Sequence, residues 1–406
     1  MKMKASRGQR LLFTGVTLLY WISMYIYVPI FTPYLSDRGY SIAFIGIVLG
    51  SYGFMQLAVR FPLGIWSDAL RKRKLFILIG MMAACLSCLL FLLPGLWIWP
   101  LAGRLMAGLC ASTWVAFTVM YAGYFEPHDT SRAMGNISVM TVSGQMIGML
   151  LSGWLSEQLA PAAPFWAGAF VAGMGLLLAL SLKESEETGQ QRSGMSLTEA
   201  GDVVRTPLLL RVSTLSILGH GVLFITMFGF TPLKADQLGA SGFQLTWLVF
   251  AFMLPHAAAS YLTATWFVPR LGNWGTIGLG FATGGLCTAS LAIVQSLEWL
   301  YATQAVNGFA QGLYLPLLLG LAIRDVQPHQ RATAMGLYQA IYAFGMFSGP
   351  FAAGYLNENW GLAGGFLFGA MLAGAALLLV WRWASPHKAS STTADNRSDA
   401  MMEEGR

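Results

Sequence analysis

Two stretches of this chain, Ala133–Ser156 and Ala332–Asn357, contain no Asp, Glu, Lys or Arg. About 20 apolar residues in a helix cross the hydrocarbon layer of a bilayer, and both stretches are longer than that. The rest of the chain has the same character. Of its 406 residues, 56% are hydrophobic and 10% are charged, where a soluble domain carries about 25% charged residues. A water-soluble core cannot hide this much apolar surface, so lipid is the solvent for most of it. In lipid the backbone must satisfy its own polar groups. No alternating ten-residue pattern marks barrel strands, so the spans are read as helices.

Apolar runs between charged or turn-rich breaks give twelve helices, at about 11–35, 41–63, 75–95, 99–121, 133–156 and 165–182, then 208–233, 243–268, 275–295, 299–322, 332–356 and 363–383. The expected fold is an all-α membrane protein, with 12 transmembrane helices in two pseudo-symmetric six-helix bundles around a central cavity. Residues 1–182 form the N-terminal bundle and 208–383 the C-terminal bundle. The polar stretch 183–207 is read as a cytoplasmic linker, and 384–406 as a disordered cytoplasmic tail.

Orientation follows from Lys and Arg, which favour the cytoplasmic side. With the N-terminus inside, Arg38 and Lys234 fall outside and Arg104 falls within a helix, which leaves the other 21 of 24 on the cytoplasmic side. The basic start MKMKASRGQR precedes an apolar run too long for a signal-peptide core, so it is read as the inner flank of an uncleaved first span. Both termini are expected in the cytoplasm, in a plasma-membrane protein. Trp97, Trp99, Trp299, Trp360, Trp381 and Trp383 lie near expected interfaces, as an aromatic belt does.

The chain repeats itself. Phe31–Asp37 reads FTPYLSD and Phe230–Asp236 reads FTPLKAD, an offset of 199 from residue 31 to residue 230. EPHDTSRAMG from Glu126 returns as QPHQRATAMG from Gln327, an offset of 201 that Gly144, Gly148 and Gly153 share with Gly345, Gly349 and Gly354. An even number of spans separates the copies, so the halves have the same orientation. The prolines are expected to close their helices, and the glycines to let helices approach closely.

At the link between helices 2 and 3 the chain reads Gly64-Ile-Trp-Ser-Asp68-Ala-Leu-Arg71-Lys72-Arg73-Lys74, and helix 4 carries Arg104-Leu-Met-Ala-Gly108. Over nearly its whole length the chain resembles the major facilitator superfamily, and is similar to its 12-helix drug or metabolite:proton antiporter branch. The family has Gly where this chain has Arg71, often Arg where it has Ala69, and its antiporters put Pro after a helix-5 glycine, where Met149 stands here. The resemblance implies two bundles rocking about a central site lined by helices 1, 4, 7 and 10. It also implies an inner gate at Gly64, Asp68, Arg71 and Arg73, with Asp68 facing the start of helix 11 and Arg132.

Arg104 is the sharpest single signal. An arginine within a membrane costs from about 2.5 to over 10 kcal/mol, so it must face a cavity or a partner. No Asp or Glu lies within an expected span, and Asp37 at the outer end of helix 1 is the nearest plausible carboxylate. Arg104 therefore pairs with Asp37 as a proton-sensitive switch, binds an anionic substrate group, or snorkels to the outer interface. Polar stripes mark the expected cavity helices: Thr17, Tyr20, Met24 and Tyr27 on helix 1, Ser213, Ser216 and His220 on helix 7, and Gln304, Asn307, Gln311 and Tyr314 on helix 10. Gln56 and His256 contribute from helices 2 and 8. Such residues also serve as glue between helices. His220 and His256 titrate near neutral pH and are candidates for proton coupling, with Asp37 and Arg104.

Several functions are excluded. No basic, aromatic-interleaved face serves nucleic acid, although the net charge is +6. No nucleotide-binding loop, catalytic triad or HExxH motif is present, so neither ATP-driven transport nor an enzyme is expected. Cys85 and Cys88 form a lone CxxC within a span, and with Cys110 and Cys287 are read as packing residues. No metal or cofactor is expected. The partners are a small-molecule substrate, a proton and the bilayer, and the chain is expected to be a monomer. The primary reading is a secondary active exporter, coupled to protons, of a small amphiphilic or anionic compound. A drug, a metabolite or a metal-chelating opine-type metabolite fits. A proton-coupled importer of a sugar or organic acid, and a nontransporting membrane sensor, remain as alternatives.

Overall fold

The computed structural model describes residues 6–70, 72–125, 129–184, 206–327 and 331–384; the expected linker and tail lie outside them, save for 183–184, 206–207 and 384. Among the described residues the backbone crosses twelve times, as α1 (Arg7–Asp37), α2 (Ile42–Leu70), α3 (Arg73–Leu92), α4 (Ile98–Gly123), α5 (Thr130–Gln158), α6 (Ala163–Ala179), α7 (Pro207–Gln237), α8 (Gly242–Leu262), α9 (Val268–Ser290), α10 (Leu297–Leu321), α11 (Arg331–Trp360) and α12 (Leu362–Ala384). Arg7 and Ala384 share one face, here the terminal face; the turns α1–α2, α3–α4 and their later counterparts share the distal face. The turns α1–α2 and α7–α8 both hinge on a left-handed glycine, Gly39 at φ 79° and Gly239 at φ 82°, a conformation costly for any residue with a Cβ.

Eight segments among the described residues are long and apolar enough, taken alone, to cross a membrane. One of them, Gly242–Ser290, holds two crossings, because Gly272 at φ 69° breaks the helix there. The residues before Gly272 therefore prolong α8 beyond its expected end at 268. Leu297–Leu321 and Arg331–Trp360 are not among the eight, since inward-facing polar groups dilute their apolar character. Large apolar side chains elsewhere face lipid, among them Leu286, Ile293, Met371 and Leu378. Trp97, Trp299, Trp360 and Trp381 are exposed at helix ends, as a belt requires.

Two expectations change. Pro33 and Pro232 do not end their helices. Each lies near the start of a further short segment, Phe31–Asp37 and Thr231–Gln237, where a missing N–H costs nothing. The link between helices 2 and 3 is also shorter than expected, because α2 runs through Gly64 to Leu70.

The halves meet along two crossed pairs, α2 with α11 and α5 with α8. A Cβ on Gly46 would stand 2.6 Å from the Gly354 Cα, and one on Gly53 2.5 Å from the Phe347 nitrogen. In the second pair Gly153 packs on the Gly242 carbonyl, and its N–H donates to Thr246 Oγ1 at 3.1 Å. Carboxylates close both seams at the distal face. Glu358 Oε2 on α11 accepts from the Ala43 N–H at the start of α2 (3.0 Å), and Glu157 Oε2 on α5 accepts from the Phe243 N–H at the start of α8 (2.9 Å). Each caps the positive end of a helix dipole in the opposite half. The FTP repeats meet there too, where Thr32 Oγ1 donates to the Gly229 carbonyl at 3.1 Å.

The buried core follows the same division. A distal cluster draws on both halves, with Phe31, Leu35, Val48 and Phe165 against Phe230, Leu233, Leu245 and Ala353. A cluster running to the terminal face, from Leu209 through Tyr338 to Val380, contains C-terminal residues alone. The halves are thus sealed together distally.

Candidate functional site

Arg104 follows Ile98 by six residues, about 9 Å into α4 from the distal face at 1.5 Å per residue. It is 5% exposed. Its Nη1 donates to Tyr27 Oη at 3.4 Å, and its guanidinium carbon lies 4.5 Å from the Tyr52 ring centre and 5.2 Å from that of Phe31. Such cation–π contacts are worth more when desolvated. Its Nε is buried without a partner. Asp37 is exposed and forms no ion pair with Arg104. Burial also removes the snorkelling alternative.

A second buried guanidinium escapes the sequence reading. Arg60 on α2 is 7% exposed; its Nη1 donates to Gln56 Oε1 at 3.0 Å and its Nε has no partner. Tyr52, Gln56 and Arg60 fall four residues apart and form one stripe. The stripe faces the C-terminal half: Tyr52 stacks on Phe224 at 5.9 Å, and Gln56 Nε2 donates to Met346 Sδ at 3.7 Å. Counting basic residues by face places Arg60 with the loop charges. The i, i+4, i+8 spacing of Tyr, Gln and Arg is the signal that could find it.

The C-terminal half contributes neutral polar groups. Asn307 Nδ2 donates to Thr226 Oγ1 at 3.4 Å, and Gln311 Nε2 donates to Asn307 Oδ1 at 3.1 Å. Gln304 is fully buried, and neither its Oε1 nor its Nε2 has a partner; the Gln311 Oε1 has none either. Unsatisfied buried amides are costly. His220 stacks flat on Tyr342 with ring centres 3.9 Å apart, and its Nδ1 bonds the Ser216 carbonyl at 2.9 Å.

Other candidates are structural in place. Tyr20 is fully buried; its hydroxyl donates to the Cys110 carbonyl at 2.5 Å, and its ring packs among Trp21, Trp114 and Phe117. Met24 and Thr17 are buried on the same helix. Tyr314 stacks on Phe281 at 4.1 Å, holding α10 to α9, and Ser216 bonds the Tyr338 hydroxyl. Ser213 is buried with its hydroxyl unpartnered. His256 packs beside Phe252 at the α8–α10 contact, where a Cβ on Gly312 would strike its carbonyl. Of the gate residues, Arg73 is buried and its Nη1 donates to Ser67 Oγ at 2.6 Å, within one half. Gly64 has open space around it. Arg71 lies outside the described residues, as do the side chains of Asp68 and Arg132.

The sequence profile of the Major Facilitator Superfamily matches residues 13–235 and again 215–399. The chain belongs to that superfamily. It is 26% identical over 380 residues to the inner membrane transport protein YajR of Escherichia coli K12, covering 91% of this chain and 82% of that one. It is 23% identical over 326 residues to the class E tetracycline resistance protein of Escherichia coli, covering 78% and 80%. Among solved structures, the nucleoside transporter NupG superposes with a TM-score of 0.77 at 16% identity, over 94% of this chain and 100% of that one. This superfamily member is thus a multi-pass membrane transporter with the twelve-helix fold.

Proposed function

We propose that this superfamily member is a secondary active transporter that exports a small anionic or amphiphilic organic compound in exchange for protons, by alternating access. Arg104 carries the reading. It is a buried cation held against Tyr27, Phe31 and Tyr52 of the N-terminal half, with no carboxylate paired to it among the described residues, and Tyr52 in turn stacks on Phe224 of the other half. A charge in such a place needs a counter-charge, and an anionic cargo supplies one. Tyr27 and Tyr52 touch it, and His220, stacked on Tyr342, is the proton-coupling candidate. The terminal face, where Lys and Arg concentrate, is the cytoplasmic side of the plasma membrane. The distal seal then closes the outer gate, and the inner gate is the Asp68 region. A relative named for tetracycline resistance favours outward movement of cargo.

The test is a metabolite comparison of deletion and overexpressing cells, inside against medium. Build-up of one acidic compound inside the deletion strain, reversed by the gene, supports export and names the cargo. Build-up only in the medium favours import instead. Absence of any flux under a pH gradient in proteoliposomes supplied with that compound leaves the sensor reading.

A further inference from the structure

Arg104 accounts for one anionic group of a cargo, and the structure holds a second guanidinium on the same wall. Tyr52 lies against Arg104, and Arg60 comes eight residues after Tyr52 on the same helix, about 12 Å further along the axis at 1.5 Å per residue. Each guanidinium keeps a buried, unpartnered Nε. Among the described residues neither has an ion-pair partner; Arg324 pairs with Asp325 instead. Across the seam stand Phe224, Met346, His220 and Tyr342, and none of them is a carboxylate. Two unpaired cations on one wall repel each other, and each calls for an anionic group of its own.

We propose that the cargo is an elongated organic acid with two separate anionic groups, one held by Arg104 and the other by Arg60. The aromatic surface of Tyr52 and Phe224 between them receives an apolar middle. The proposal rests on the transport reading above and narrows its substrate class. A guanidinium holds a carboxylate at about 2.8 Å from nitrogen to oxygen, so the length of the straight dicarboxylate that binds best reports the spacing of the two cations.

Binding is measured on the purified full chain in detergent, by calorimetry and thermal shift. The probes are straight dicarboxylates of four to ten carbons, the monocarboxylates of equal length and the corresponding half-amides. The expected result is at least tenfold tighter binding of the best dicarboxylate than of its monocarboxylate or half-amide. Arg60→Gln and Arg104→Gln each erase that preference, and Arg60→Lys and Arg104→Lys keep part of it. The wild-type comparison stands even if a variant fails to fold. Equal affinity for diacid and monoacid in the wild type overturns the proposal, as does a folded Arg60→Gln protein that retains the preference. Discovery of an exported compound with one acid group or none overturns it and leaves export intact. Dicarboxylate binding without flux in proteoliposomes has the opposite meaning: the site stands and the transport reading falls.

Discussion

Where the N-terminal half has Arg104, the C-terminal half has Gln304, and where it has Tyr52, Gln56 and Arg60 the other has Phe252, His256 and Ser260, each 200 positions on. The glycines between them did not diverge. A Cβ on Gly108 would press on the Tyr52 carbonyl at 2.7 Å, and Gly308 meets the Phe252 carbonyl in the same way. Glu157 and Glu358, 201 positions apart, cap equivalent helix starts in opposite halves. Backbone packing was thus kept through duplication while the side chains facing the seam changed. Both buried guanidiniums described above lie in one half, and the other offers amides, hydroxyls and imidazole. A cargo bound as proposed would sit lopsidedly, with its acid groups on the N-terminal bundle.

This contrast can be broken most sharply by transplanting it. Arg104→Gln copies the other half, and is expected to cut transport of an acidic cargo by at least about 100-fold in kcat/KM, two powers of ten being about 2.7 kcal/mol. Proteoliposome uptake measures it. The reverse change, Gln304→Arg, adds an unpaired buried cation and should cost about 2.5 kcal/mol or more, seen as a lower melting temperature and poorer yield. Unchanged stability there would mean that the C-terminal wall is more open to water than its burial indicates. Packing positions should answer alike in both halves: Gly108→Val and Gly308→Val each overfill a helix contact, at about 1–3 kcal/mol. Unequal melting shifts would show that the scaffold is not equivalent.

Smaller still are the caps. Glu157→Gln and Glu358→Gln each remove a charge–dipole contact worth about 0.3–1 kcal/mol, so each should raise the distal-open population about two- to fivefold, read by spin-label distances across that face. The least effect is expected from His256→Gln, which copies Gln56. A change of less than about twofold in rate would place the histidine in helix packing, because an imidazole at the α8–α10 contact is held by its neighbours rather than by cargo.

The fold was legible in the chain because lipid leaves few choices. The charge-free runs at 133–156 and 332–357 mark spans on their own, and the FTP and PHxxxxAMG echoes mark the halves. Helix ends were less legible. Pro33 and Pro232 read as stops, but each begins another turn, since the cost of a proline depends on whether its N–H had a partner to lose. The site was half legible. Arg104 stood out because a charge inside an apolar run is rare. Arg60 was hidden by its nearness to the basic link that follows α2, where position along the helix and side-chain direction decide which face it serves. Tyr20 and Tyr314 looked like lining residues, yet both point into contacts between helices of one half, and residue type carries no information about that direction.

Where Gly46 meets Gly354 and Gly153 meets Gly242, main chain lies on main chain. Such a joint has almost no rotamers to freeze when it shuts, whereas each long side chain immobilised at an interface costs about 0.5–1.5 kcal/mol. Under the proposed alternating access, separation and reclosure would therefore need little more than a sliding of stiff rods, leaving the pace of each cycle to the carboxylate caps and to whatever occupies the middle.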